Sequence, residues 1–335
     1  MCRIFKISLT LFLFLSSFSC NTKQYYKIHG FTQGTTYSII YQGNKNYETE
    51  IDDLLHQFDM SLSTYVDSSI ISRINRSEKN VVLDKLFEQF FVKSQEVFEK
   101  SDGYFDITVA PLVNAYGFGF SKKADVDSAM IDSIMAFVGT DKTDLNKGVV
   151  TKLDPRIMLD GNAIAQGQSV DFIADFLETQ EITNYLVEIG GEIRAKGLND
   201  KTEIWRVGID KPIDNSDEQN RVLQAIVSLK NKSLATSGNY RKFYEKGGVK
   251  YGHSINPKTG YPALQSILSA TIIANDCITA DAYATTCMVI GLENSKVLLS
   301  KMKELDAYFI YTDSVNGSYQ VFMTEGVREM IEELD

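Results

Sequence analysis

The stretch that most restricts how this chain can fold is Leu159-Asp-Gly-Asn-Ala-Ile-Ala-Gln-Gly-Gln-Ser-Val-Asp-Phe172. An apolar approach, Ile157 to Leu159, carries Asp160 into a turn at Gly161-Asn162. Beyond Gly167 the apolar positions Val170, Ile173, Phe176 and Leu177 recur at helical spacing. A strand that enters a glycine turn and then a helix start leaves backbone N–H groups open at the positive end of a helix dipole. That arrangement suits an anion, a phosphate above all. An ordinary strand–helix connection uses the same residues, so the stretch gains meaning only from its company along the chain.

The first residues read as a leader rather than as part of the fold. Arg3 and Lys6 precede the apolar run Ile7 to Leu15, which small residues and Cys20 follow. This is a secretory signal, too short to remain as a membrane span. Ser-Phe-Ser-Cys20 also resembles the lipobox of bacterial lipoproteins, with Ser17 where Leu is usual. Residues 1–19 are therefore read as the signal peptide, Cys20 as the lipidation site and 20–26 as a tether, with the folded domain over 27–335. The expected location is outside the cytoplasm, on a membrane facing the periplasm and held by the lipid anchor.

The rest is long enough for one large domain or two tightly joined ones. Cys277 and Cys287 are the remaining cysteines, too few for a disulfide framework; a bridge between them stays open, and Cys287 sits in an apolar helical run. A net charge of −10 argues against nucleic acid as a partner. Any phosphate ligand must then be handled locally, by backbone amides or by a metal.

Taken in order, 27–42 reads as two strands meeting near Gly34, Glu48 to Phe58 as an amphipathic helix, and Ser68 to Asn75 as a short serine-capped helix. Leu83 to Lys100 is a longer helix. Gly103 to Phe120, rich in aromatics and glycine, is either a buried irregular loop or the wall of an aromatic-lined pocket. A linker-like helix over 124–138 and an acidic turn from Thr140 to Lys147 lead to the central stretch. After it come a strand from Tyr185 to Gly197 broken at Gly190-Gly191, strands at 205–210 and 222–229, and a strand end with an exposed turn at Leu234 to Tyr240. A polar loop from His253 to Pro262, a strand over 268–274 and helices over 279–291 and 294–302 follow. Strands at 307–312 and 319–324 and a short helix close the chain. The class is α+β.

Asp281 and Thr285, at i and i+4 near a helix start, place a carboxylate and a hydroxyl on one face, half a site for a hard cation such as Mg2+. A helix-start Asp and a Thr bonded back to the backbone would have the same spacing. Of three histidines, His29 and His56 lack chemical neighbours. His253 lies in the loop with Asn256, Lys258 and Thr259, where it could move a proton or simply hold the loop. No zinc spacing, nucleophile elbow or Walker lysine is present.

With these pieces in place, the chain resembles the ApbE-type FAD:protein FMN transferases. The resemblance is carried by Gly34-Thr-Thr-Tyr37, Leu62-Ser-Thr-Tyr65 with Ser69 and Asn75, Gly103-Tyr-Phe-Asp-Ile-Thr108, and Pro111-Leu112 with Gly117-Phe-Gly119. It continues through Leu159 to Asp171, Glu188-Ile-Gly-Gly-Glu-Ile-Arg194, Thr236 to Tyr240, His253 to Pro262 and Ala280-Asp-Ala-Tyr-Ala-Thr285. The set follows the family's order across nearly the whole mature chain. It implies a T-fold-like α+β architecture with FAD between two halves. The reaction implied is cleavage of the FAD diphosphate and transfer of FMN to a threonine of an acceptor flavoprotein, with AMP released. By position, the Ala163 carbonyl, Asp281 and Thr285 would hold Mg2+. Asp160, Gln166 and Ile255 would line the FAD, with Gln33, Tyr65 and Phe118-Gly119-Phe120 around its rings, and His253 would act in proton transfer or touch phosphate. Gln166 stands where Lys or Glu is frequent, and Asn256 where Asp is frequent. A relative that hydrolyses FAD to FMN and AMP, or a non-catalytic FAD-binding lipoprotein, would keep the same motifs.

Overall fold

A computed structural model describes residues 24–334 except 120–123, 125, 214–221, 240–242, 247–248, 253, 265 and 314–316, with backbone alone at 243–246 and 249–251. Cys20, Phe120 and His253 lie outside the described residues.

The chain opens with a hairpin, β1 (Gln24–Thr32) and β2 (Thr35–Gly43), whose turn is Gln33-Gly34. Both turn residues have positive φ, 51° and 76°, the combination that matches the twist of a two-residue hairpin. Helices α1 (Glu48–Leu62), α2 (Ile70–Asn75) and α3 (Lys85–Lys100) follow. Ser69 Oγ caps α2 by accepting from Ser72 N–H, and Asp84 caps α3 by accepting from Phe87 N–H. Short helices α4 (Ala110–Ala115) and α5 (Ser128–Met135) come next. The segment read as an acidic turn is a single 3-10 turn and a hairpin, β3 (Thr143–Asn146) and β4 (Val149–Lys152). Lys147 and Gly148 turn it, both with positive φ.

Helix α6 spans Ala165–Thr179, beginning two residues before the glycine where the sequence placed it. The approach at 157–160 lies in neither a helix nor a strand. Its Ile157 and Leu159 are fully buried, which is the cause of the apolar pattern. Strands β5 (Tyr185–Ile189) and β6 (Glu192–Lys196) form an antiparallel hairpin. Gly190-Gly191 is thus a reversal of direction, with φ of 68° and 109°, and not a break within one strand. Then come β7 (Trp205–Asp210), β8 (Leu223–Leu229), β9 (Lys232–Gly238), β10 (Phe243–Lys246), β11 (Val249–Gly252) and β12 (Ile267–Ala274). Helix α7 (Cys277–Lys301) breaks at Gly291, where φ 76° and ψ 175° divide it into the two helices expected. The chain ends with β13 (Asp306–Thr312), β14 (Tyr319–Met323), α8 (Glu325–Arg328) and a further strand, β15 (Ile331–Glu333).

Eight strands form one antiparallel sheet in the order β1-β2-β5-β6-β9-β12-β13-β14, and β15-β8-β7 form a second. Period-two alternation assigns the faces. On β13, Ala307 and Phe309 join the cluster that holds α3 and α7, while Tyr308 and Ile310 join the one that holds β7 and β8. Helix α6 lays Val170, Ile173 and Leu177 against Val187 and Ile189. Each such side chain removed from water contributes roughly 1.5–3 kcal/mol. The result is helices, large sheet and small sheet in three layers, an α+β fold. Cys277 and Cys287 are both buried free thiols on α7. Ten residues along one helix separate them by about 15 Å, so the bridge left open in the sequence does not form.

Candidate functional site

Helices α6 and α7 touch where Gly167 faces Cys277 and Asp281. A Cβ at Gly167 would lie 2.4 Å from the Cys277 carbonyl oxygen and 2.7 Å from Asp281 Cβ, so only glycine admits this approach. The contact redirects a hydrogen bond. Gly167 N–H donates to Asp281 Oδ2 at 2.9 Å and not to the Ala163 carbonyl four residues back, which takes no helical bond. The other Asp281 oxygen accepts none among the described residues.

Asp281 is 5% exposed, and burial pushes its carboxyl up to about 7, with the Gly167 amide pulling the other way. Thr285, one turn on, has its Oγ1 3.1 Å from Ser237 Oγ at the end of β9. The residues that bear a released carbonyl, a buried carboxylate with an open oxygen and a hydroxyl, Ala163, Asp281 and Thr285, therefore line a common space. That donor set is all oxygen and carries one charge, which fits a hard divalent cation, and such an ion would return Asp281 to its ionised form.

These groups line one cavity of about 900 Å³, within the range that holds a large organic ligand. Ala163, Gln166, Asp160, Gln33, Tyr65, Phe118, Ile255, Asp281 and Thr285 all border it. The described part of the site expected from the sequence is thus brought together, with the exception of Gly119, which packs against Asn114. Tyr104, Val109 and Val113 add apolar wall, so the aromatic segment is both core and wall. Gln33 Nε2 is buried with no hydrogen-bond partner among the described residues, while its Oε1 accepts from Ser169 Oγ at 3.3 Å. An orphaned donor beside an open cavity fits a polar ligand atom. The Gln166 side chain fills the space above Gly190, where a Cβ would come within 1.8 Å of its Nε2.

One expectation is revised. The start of α6 was to offer its amides to a phosphate, but Ala165 N–H bonds Gly161 O, Gln168 N–H bonds Ile164 O and Gly167 N–H bonds Asp281. Of the first turn only the Gln166 N–H is open among the described residues. The start of α6 therefore presents one open backbone donor, not a full turn of them, among the described residues.

Asp160 and Asp106 are two further carboxyls at this cavity, both pushed up by burial. Asp106 accepts from the backbone and hydroxyl of both Thr108 and Thr140, so its hydrogen bonds are internal. Sequence reasoning missed Ser237, read as part of an exposed turn. It also missed Asp171, whose carboxylate accepts from Cys277 N–H and Ile278 N–H at 3.0 and 2.8 Å and pairs with Arg194 at 3.0 Å. Asp171 holds the N-terminus of α7, and hence Asp281, against α6.

Known proteins resemble this chain in sequence and fold. The ApbE family profile matches residues 33–309. An FAD:protein FMN transferase of Vibrio cholerae serotype O1 is 37% identical over 276 residues, covering 79% of this chain and 81% of the relative. One of Escherichia coli K12 is 32% identical over 310 residues, covering 89% and 86%. The solved structure of flavin transferase ApbE from Vibrio cholerae superposes with a TM-score of 0.81 at 32% identity, over 92% of this chain and 99% of that one. With its sequence matched from the first hairpin turn to the penultimate strand of the large sheet, the chain belongs to the ApbE family.

Proposed function

We propose that this protein is an Mg2+-dependent FAD:protein FMN transferase that moves FMN from FAD to a threonine of an acceptor flavoprotein and releases AMP. The observation that carries the reading is the Gly167–Asp281 hydrogen bond, which leaves the Ala163 carbonyl without a helical partner on a residue that borders the same cavity as Asp281 and Thr285. The relatives from Vibrio cholerae and Escherichia coli are named FAD:protein FMN transferases.

Asp281, the Ala163 carbonyl and Thr285 would hold the metal. Bound there, Mg2+ would neutralise the diphosphate and the charge that grows on it as its bond breaks. The chain's own residues do the rest. Gln33 offers its buried amide, Gln166 its backbone N–H, and the Phe118 and Tyr104 rings a flat apolar wall for a flavin or adenine face. Positioning the threonine hydroxyl in line with the diphosphate supplies much of the rate. His253 would take the hydroxyl proton. The net charge of −10 makes the metal, and not a basic patch, the natural partner of a diphosphate.

The leader ending at Cys20 supports an exported, lipid-anchored protein on the periplasmic side of a membrane. The test of the reaction is to incubate purified protein with FAD and Mg2+, with and without a threonine-containing acceptor domain. AMP released only with acceptor, together with flavin-labelled acceptor, is the expected result. AMP without acceptor would make the protein a hydrolase, and bound but intact FAD a flavin carrier.

A further inference from the structure

We propose that Asn75, steadied by the Lys152 ammonium, is a positioning residue that fixes the Leu159–Ala163 turn and so aims the Ala163 carbonyl at the metal. The inference rests on the metal reading above.

Asn75 ends α2, far in sequence from the turn it grips. Its Nδ2 donates to Leu159 O at 2.9 Å and its Oδ1 accepts from Leu159 N–H at 2.7 Å. A side chain thus satisfies both backbone groups of a residue that is wholly buried, which leaves that residue no second register. The next residue is caught as well, since Asp160 N–H donates to Ile107 O at 2.6 Å. Gly161 O then receives both Ile164 N–H and Ala165 N–H, so the place of Leu159 sets the start of α6 and the carbonyl between them.

Lys152 holds the other side of this clasp. Its Nζ lies 2.9 Å from Ile74 O, 3.3 Å from Asn75 O, 3.2 Å from Pro155 O and 2.9 Å from Ile157 O. Two of these carbonyls end α2, where the helix dipole favours a cation. The other two belong to the chain that leads into Leu159. One ammonium therefore ties the base of Asn75 to the segment its amide grips. Neither Asn75 nor Lys152 borders the cavity near Asp281.

The test measures metal binding directly. Mn2+ is titrated into purified Asn75→Ala, Asn75→Asp, Lys152→Met and Asp281→Ala, with free Mn2+ read by electron paramagnetic resonance, and urea midpoints are taken without metal. Half-saturating Mg2+ and kcat at saturating Mg2+ are measured on the same samples. Asn75→Ala should weaken Mn2+ about tenfold or more and raise half-saturating Mg2+ in step, with kcat at saturating metal within about threefold of wild type. Asn75→Asp, which turns the donor toward Leu159 O into an acceptor, should do the same at neutral pH, and Lys152→Met should weaken Mn2+ less. Wild-type Mn2+ affinity in both Asn75 variants, whatever their urea midpoints, overturns the positioning role if Asp281→Ala has lost binding. Wild-type affinity in Asp281→Ala overturns the metal reading itself.

Discussion

At the scale of single residues, the site depends on what Gly167 and Asp281 do to each other. Gly167 gives up the bond it would make to Ala163 and donates to a carboxylate on another helix. Asp281→Ala should lower Mg2+-dependent turnover by about a hundredfold or more, since even the partners of metal ligands are worth ten- to hundredfold. Its circular dichroism and urea midpoint should stay close to wild type, and unchanged AMP release would reject the ligand role. Gly167→Ala drives a methyl into the Cys277 carbonyl. It should destabilise the protein by about 1–3 kcal/mol in urea denaturation and raise half-saturating Mg2+. The Asp281 and Thr285 pairing was legible because helical period alone puts i and i+4 on one face. The redirected Gly167 bond was not, because nothing local says which helix will lie across it.

Among elements, the crossing of α6 and α7 is held by Asp171, which accepts from the first N–H groups of α7 while pairing with Arg194 of β6. Burial pushes this carboxyl up to about 6, against about 3.9 in an unfolded chain. A raised folded value means that protonation favours the folded state. The contribution is complete below about pH 4 and is lost as the pH rises through 6. Asp171→Asn should be less stable than wild type at pH 7 by about 1–3 kcal/mol. The gap should widen by roughly 2–3 kcal/mol between pH 7 and pH 4 when urea midpoints are compared; a gap that narrows would show that the Arg194 pair dominates. Elements with long periodic faces, such as α1, α3 and the strands of the large sheet, were readable from the chain. The β3–β4 hairpin was hidden because its strands are four residues each and its turn is Lys-Gly in a charged run. The aromatic segment from Gly103 resisted one assignment because Phe105 and Leu112 are core while Tyr104 and Phe118 face the cavity.

On the scale of the whole molecule, the antiparallel sheet gathers at one end the β1–β2 turn, the Gly190-Gly191 turn and the end of β9, and the cavity opens there. The α+β class followed from interspersed strands and helices, whereas the strand order depends on pairings between residues far apart in sequence. Cys20→Ser should abolish incorporation of radiolabelled fatty acid and release the protein from membranes to the soluble periplasmic fraction; label retained in that variant would refute the anchor. The first hairpin adds a measure of distance. With a lipid on Cys20, the few residues before Gln24 can span at most about 14 Å, and the nine residues of β1 another 30 Å or so. Gln33 at the cavity's edge can therefore stand no farther than about 45 Å from the bilayer surface. Under the proposed reaction an acceptor threonine would have to come inside that shell, which would favour flavoproteins seated in the same membrane over those that diffuse freely.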